Sequence, residues 1–187
     1  ALGSSTDYVN FTKNATISSW GSIQFNETST GTLSYCNITY SSDTVIIDTE
    51  GIEISNCKIL YNYGYGILAK KGGFTVDKNT FITYDAAVYV DISYTNPSSV
   101  DIGDMVLTDN EVKTPVGFIF NKAKIISPVL SSNINVGDTI IQRNNFTDIY
   151  GMGDGIGILL SNYTVENMNG GSISWGDIIV EENNISF

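Results

Sequence analysis

The sequence contains no histidine among its 187 residues, and arginine occurs once, at position 143. Without an imidazole there is no Ser-His-Asp triad, no histidine metal ligand and no side chain that ordinarily titrates near neutral pH. Nine basic against 20 acidic side chains give a net charge of −11. We therefore expect no nucleic-acid partner, because too few cations are present to neutralise phosphates. No apolar run approaches the roughly 18 residues of a membrane-spanning helix.

Strong helix formers are also scarce, whereas residues that fit a pleated surface are abundant. Ile, Val, Thr, Tyr, Phe and Trp make up about 41% of the chain. Numerous asparagines and 18 glycines supply turns. The length suits one domain or one elongated array of repeats. The composition therefore predicts an all-β protein.

One spacing recurs six times along the chain. An aliphatic residue is followed three positions later by Asn or Cys, and two positions after that by Ile, Val or Phe. The six copies are Leu33-x-x-Cys36-x-Ile38, Ile54-x-x-Cys57-x-Ile59, Val76-x-x-Asn79-x-Phe81, Leu107-x-x-Asn110-x-Val112, Ile141-x-x-Asn144-x-Phe146 and Val180-x-x-Asn183-x-Ile185. The spacing predicts two short strands whose apolar residues point inward, with a bend at the small polar residue.

Two further elements follow this spacing in several copies. A small residue precedes an apolar one in Gly66-Ile67, Ala87-Val88, Gly117-Phe118 and Gly157-Ile158. A third strand then ends at a Gly-Asp turn in Gly103-Asp104, Gly137-Asp138 and Gly176-Asp177. The later copies are longer because of insertions at Tyr94–Ser99, Asn121–Asn133 and Ser161–Gly171. A constant core with variable loops is typical of a stacked solenoid.

This pattern resembles the right-handed parallel β-helix of the pectate-lyase-like superfamily. The resemblance implies a single right-handed β-solenoid over residues 31–187, with about six coils, three short strands per coil and no substantial helix. It also implies a ladder of inward asparagines at one bend. Residues 1–30 fit the repeat poorly, and we expect an imperfect opening coil or a docking segment there. The strands of that coil are expected at 16–20 and 22–25.

The sequon Asn-x-Ser/Thr, which accepts N-linked glycans, occurs seven times. Glycosylation requires a secretory route and an exposed acceptor. The alternative is that a chain rich in Asn and Thr contains the motif by composition alone. The acceptors are Asn10, Asn14, Asn26, Asn37, Asn145, Asn162 and Asn184.

The two cysteines, Cys36 and Cys57, occupy equivalent bends in successive copies. Neighbouring parallel strands lie about 4.8 Å apart, which is within the Cα separation that a disulfide tolerates. A disulfide is one interpretation. A ladder of reduced thiols that replaces the Asn ladder is the other.

Three aspartates, Asp104, Asp138 and Asp177, recur at the same turn and are predicted to form a column. Stacked carboxylates repel one another, and a bound calcium ion is one way to relieve that repulsion. The alternative is that each Asp caps its own turn through local backbone hydrogen bonds.

Signatures of catalysis are missing. The superfamily includes polysaccharide lyases, hydrolases and epimerases, but Asn79-Thr80 is followed by Phe81, no Asp-Asp pair exists and histidine is absent. Arg143 beside Asp109 or Glu182 imitates part of a lyase site, although an ion pair between coils explains it equally well. Asp148 and Asp154 are a candidate hydrolytic pair. We assign no catalytic residue, and any activity would be that of a polysaccharide lyase or glycoside hydrolase.

The sequence therefore favours an extracellular or cell-surface structural β-solenoid that is N-glycosylated and associates with itself head to tail into filaments. The alternative is a polysaccharide-binding or polysaccharide-cleaving β-helix that uses a tyrosine-bearing face. That face would include Tyr61, Tyr63, Tyr65, Tyr84, Tyr89, Tyr94 and Tyr150. A third possibility is that the chain is one piece of a longer β-helix.

Overall fold

The computed structural model describes residues 1–95, 97–126, 132–147, 156–160, 164–166 and 170–186, with the backbone alone at 121–124, 156 and 164–166. Within these ranges there is no helix, and every pairing between strands is parallel. It follows that no described helix is long and apolar enough to cross a membrane. The predicted all-β class is confirmed.

The strands are short and follow one another closely along the chain. The first eight are β1 (Val9–Phe11), β2 (Ile23–Phe25), β3 (Gly31–Ser34), β4 (Cys36–Thr39), β5 (Val45–Ile47), β6 (Ile52–Ser55), β7 (Lys58–Asn62) and β8 (Ile67–Ala69). The next eight are β9 (Phe74–Asp77), β10 (Thr80–Thr83), β11 (Val88–Thr95), β12 (Ser99–Ile102), β13 (Met105–Thr108), β14 (Glu111–Val112), β15 (Val116–Ile126) and β16 (Asn133–Val136). The last seven are β17 (Thr139–Gln142), β18 (Asn145–Thr147), β19 (Ile156–Leu160), β20 (Thr164–Glu166), β21 (Ser172–Trp175), β22 (Ile178–Glu181) and β23 (Asn184–Ser186).

Each strand pairs with its counterpart in the preceding and following repeats. Four sheets result, which we name A to D. Their orders are β3-β6-β9-β13-β17-β22 for sheet A, β1-β4-β7-β10-β14-β18-β23 for sheet B, β2-β5-β8-β11-β15-β19 for sheet C, where β20 also pairs with β15, and β12-β16-β21 for sheet D. Repeats stacked in this way are compatible with the predicted β-solenoid.

The repeat spacing produces the core because equivalent residues align across strands. In sheet A, Ile54 pairs with Val76 and Val76 with Leu107, and all three side chains are buried. Alternate residues of the same strands point outward. One repeat cannot cover its own apolar row, so burial depends on the repeats above and below.

The residue just before the Asn or Cys of the repeated spacing has a left-handed backbone conformation. All six residues at that position have positive φ angles between 51° and 56°. They are Tyr35, Asn56, Lys78, Asp109, Arg143 and Glu182. None of them is glycine, so this conformation gave no signal in the sequence.

Residues 1–30 do pair with the first repeat, although not as predicted. The expected strand at 16–20 is wrong: Val9–Phe11 forms β1 instead and pairs with β4 in register. Trp20 makes only an isolated bridge to Ser41. Ile23–Phe25 forms β2, within the second predicted strand, and pairs with β5.

The insertions partly lengthen sheet C. The residues of β11 from Asp91 to Thr95 pair with residues 122–126 of β15, beyond the point where β5 and β8 end. A step is thereby created on the outer surface of the sheet. The remainder of the insertions lies largely outside the described residues.

Candidate functional site

The predicted asparagine ladder is present, and the same hydrogen bonds recur at each of its asparagines. The backbone N–H of Asn79 donates to Asn110 Oδ1 (2.9 Å), and that of Asn110 donates to Asn144 Oδ1 (3.0 Å). Each amide nitrogen also donates to a carbonyl oxygen of the preceding repeat, as Asn110 Nδ2 does to Val76 O at 2.9 Å. Asn183 continues the series by accepting from the Asn144 N–H at 2.9 Å. The ladder therefore satisfies backbone groups that are buried at every bend.

A cysteine sulfur replaces the asparagine amide at Cys36 and Cys57, the two rungs of this ladder nearest the N-terminus. Both cysteines are free thiols, so the disulfide interpretation of Cys36 and Cys57 is not what the structure shows. Cys57 Sγ accepts the Cys36 backbone N–H at 3.3 Å and lies 3.5 Å from Leu33 O. These correspond to two of the partners that an asparagine has at the later rungs. The reduced ladder is the arrangement that the structure contains.

Cys57 is expected to be inert toward alkylation while the protein is folded. Burial raises the pKa of its thiol to about 12, and the side chain is 1% exposed. Since the thiolate is the reactive form, iodoacetamide at pH 8 should label Cys57 only after unfolding, with mass spectrometry as the readout. A Ser98→Cys variant supplies an exposed control thiol. Labelling of Cys57 in the folded protein at the control's rate would contradict the buried ladder.

The two ends of the ladder differ in chemistry. At the first rung Val9 pairs with Cys36 and offers no polar side-chain atom. At the last rung the backbone N–H of Asn183 has no acceptor among the described residues, although every equivalent N–H from Cys36 to Asn144 has one. The ladder thus ends at an apolar residue on one side and at unused donors on the other.

The last repeat exposes the apolar row that the earlier repeats bury. Ile178 is 53%, Val180 44% and Ile185 47% exposed. Their equivalents in the preceding repeat, Thr139, Ile141 and Phe146, are at most 2% exposed. We call this surface, together with the outer edges of β22 and β23, the open end. No other described strand pairs with those two edges.

The aspartates of the Gly-Asp turns form the predicted column, with hydrogen bonds between repeats rather than within each turn. Asp104 Oδ1 accepts the Asp138 backbone N–H (2.9 Å), and Asp138 Oδ1 accepts the Asp177 N–H (2.8 Å). In the described part of the chain no three Asp, Glu or Cys side chains are arranged to hold a metal ion. Calcium at Asp104, Asp138 and Asp177 remains a prediction without geometric support.

Most sequon acceptors lie on the surface. Asn10, Asn14, Asn26, Asn145 and Asn184 are exposed and Asn37 is half-buried, whereas Asn162 lies outside the described residues. Asn10 and Asn37 are neighbours in sheet B, as are Asn145 and Asn184. The acceptors of four sequons are therefore paired across strands.

The tyrosines stack on one another along the repeat axis. Tyr63 and Tyr84 are stacked with ring centroids 5.8 Å apart, and Tyr65 and Tyr89 with centroids 4.4 Å apart. Such stacking covers ring faces that a sugar would otherwise use. Tyr150 lies outside the described residues. The stacked tyrosines therefore mainly pack against one another on the surface.

A groove of about 370 Å³ lies at the step in sheet C. Tyr94 forms one wall, and Glu27, Asp48, Lys70 and Asp91 contribute charges of both signs. Burial is the main reason that the pKa of Tyr94 is raised. These charged residues could not be recognised from the sequence, because they lie in or after sheet C strands of four different repeats and share no local motif.

The lone arginine is accounted for by an ion pair between repeats. Arg143 Nε and Nη2 each lie 2.9 Å from a carboxylate oxygen of Asp109. This contact lowers the pKa of Asp109. Asp148 and Asp154, the candidate hydrolytic pair, lie outside the described residues.

The family models, the curated proteins and the solved structures compared with this chain gave no match. Function must therefore be inferred from the geometry of the described residues.

Proposed function

We propose that this protein is an extracellular or cell-surface structural protein, a single right-handed β-solenoid of about six coils that is N-glycosylated and assembles head to tail. The exposed sequons are compatible with secretion, and the Arg143–Asp109 ion pair gives the lone arginine a structural role.

The open end is the observation that carries this proposal. An exposed apolar row beside unpaired strand edges is a template for further strands. Sheet B begins at the edge strand β1 and ends at β23. Sheet A ends at β22, and at its other edge residues 1–3 bond to β3. A second copy placed on the open end would continue both sheets. Such a contact joins different surfaces of two copies and leads to an open filament when the rotation does not close.

The ladder limits how strong this association can be. In a stack with continuous register, the donors of Asn183 would face Val9, which has no acceptor. A buried donor without a partner costs about 1–3 kcal/mol. We therefore expect the junction between copies to be weaker than the contact between two repeats of one chain.

Replacing Val180 with aspartate should weaken head-to-tail association at least tenfold, because it places a charge in the apolar row of the junction. The matched control is Thr75→Asp, which adds the same charge to the outer face of sheet A, away from the open end. Sedimentation velocity over a range of protein concentrations measures the association. If the unmodified chain stays monomeric throughout, or both variants associate equally, the proposal is wrong.

A second candidate function is polysaccharide binding, which the groove beside Tyr94 favours. Carboxylates, ammonium groups and an aromatic ring around a cleft are groups that bind sugar hydroxyls. A binding screen with acidic and neutral polysaccharides, with and without calcium, separates the two functions. Binding that is lost in an Asp91→Ala variant, or a product with a new ultraviolet-absorbing double bond, would favour this alternative.

A further inference from the structure

Four of the seven sequons form two pairs across neighbouring strands of sheet B. Asn37 Nδ2 donates to Asn10 Oδ1 at 3.1 Å, and Asn184 Nδ2 donates to Asn145 Oδ1 at 2.8 Å. In the first pair the hydroxyls align as well, with Thr39 Oγ1 at 2.8 Å from Thr12 Oγ1. The acceptor and the hydroxyl residue of one sequon thus lie beside those of the other.

An N-linked glycan is attached through the Nδ2 atom of asparagine, replacing one of its two hydrogens. In each pair, one Nδ2 atom already bridges to the partner side chain. Neighbouring strands are about 4.8 Å apart, so glycans on both members would leave the surface from almost the same point. Two branched oligosaccharides at that spacing would compete for the same volume of solvent and disrupt the bond between the asparagines.

From this geometry we propose that each pair carries at most one N-glycan in the folded protein. The inference rests on the proposed secretory route, and it adds a rule for occupancy that the sequons alone do not contain. It applies to Asn10 with Asn37 and to Asn145 with Asn184. Asn14 and Asn26 have no sequon partner on a neighbouring strand and are not subject to it.

Within the first pair the glycan belongs on Asn10. The Asn10 side chain is exposed, and its Nδ2 lies 3.2 Å from the backbone oxygen of Tyr8 in its own repeat. The second Nδ2 hydrogen is the one that a glycan would replace. Asn37 is half-buried, and its Oδ1 atom is inaccessible to solvent and has no hydrogen-bond partner. A glycan on Asn37 would have to turn this amide out of its buried position.

The test is site-specific glycan occupancy of the full chain secreted from a eukaryotic host, measured by intact mass and glycopeptide mass spectrometry. We expect no secreted molecule with both members of a pair modified, so the summed occupancy of each pair stays at or below one. Asn10→Gln should raise the occupancy of Asn37 severalfold. The matched control, Asn14→Gln, removes an unpaired sequon and should leave Asn37 unchanged.

Secreted molecules with glycans on both members of a pair would overturn the rule, as would an Asn37 occupancy that ignores Asn10→Gln. A secreted chain without a glycan at any sequon would overturn the proposed glycosylation, on which this rule rests. Head-to-tail association is measured on unglycosylated protein, so its failure is a separate result.

Discussion

Replacing Asn110 with alanine is expected to destabilise the protein by about 3–5 kcal/mol. Asn110 accepts hydrogen bonds from the backbone N–H and the Nδ2 of Asn79, and it donates to Val76 O and Asn144 Oδ1. Its side chain is 1% exposed, so water cannot replace these partners. Denaturant unfolding followed by circular dichroism measures the loss of stability.

The neighbouring Asn145 is the matched control for this prediction. It has the same side chain and lies one position beyond the next rung, but it is exposed and points away from the core. Asn145→Ala should change the free energy of unfolding by less than about 0.5 kcal/mol. Equal effects at the two positions would show that the ladder does not hold the repeats together.

A substitution at Cys57 tests how much of the ladder's contribution to stability comes from hydrogen bonds rather than from filled volume. Cys57 Sγ accepts one backbone N–H, and sulfur is a weak acceptor. The four strong contacts of Asn110 therefore predict a larger cost for its loss than the contacts of Cys57 predict for Cys57→Ala. The ladder is strongest in the middle of the chain and declines toward Val9.

Much of the fold could be predicted because a repeat multiplies a weak signal. One copy of the spacing Val76-x-x-Asn79-x-Phe81 is uninformative, but six copies indicate which side chains align across strands. The recurrence of aspartate at the same turn likewise predicted the column of Asp104, Asp138 and Asp177. Structure that repeats in space must repeat in sequence wherever packing demands the same residue type.

The features that sequence reasoning missed are those in which residue identity is free to vary. The left-handed bend is held by surrounding hydrogen bonds, so residues as different as Lys78 and Glu182 occupy it. A second buried polar column was also missed: the backbone N–H of Ser41 donates to Asn62 Oδ1 at 2.8 Å, and Thr83 pairs with Asn62. These polar residues recur at or just after the ends of sheet B strands and could have been found by aligning the repeats one bend later.

The groove illustrates a different limit. Glu27, Asp48, Lys70 and Asp91 come together only because the repeats stack and β11 extends past β8. Their proximity depends on register, which a one-residue slip would change completely. A candidate binding site built across repeats is therefore invisible until the pairing of strands is known.

Replacing Gly66 with valine is the other change from which we expect a large effect, about 3 kcal/mol or more of lost stability. The repeats predicted a small residue before an apolar one in four copies, and the structure gives its cause at Gly66. A Cβ atom on Gly66 would lie 2.5 Å from the carbonyl oxygen of Ala87 and 2.9 Å from the Phe81 ring. Phe81 is fully buried and cannot withdraw without opening the core.

The control for Gly66 is Gly21→Val, because a Cβ at Gly21 meets no atom within 4 Å. This control should alter the melting temperature only slightly, whereas Gly66→Val should lower it by many degrees. A double-mutant cycle with Phe81→Leu then assigns the cost. Partial rescue would attribute it to the crowded ring, and no rescue would attribute it to the Ala87 carbonyl, whose position is fixed by the hydrogen bond from the Ile67 N–H at 2.9 Å. A stable Gly66→Val variant would mean that adjacent repeats are not packed this closely, and the register of sheet C would have to be wrong.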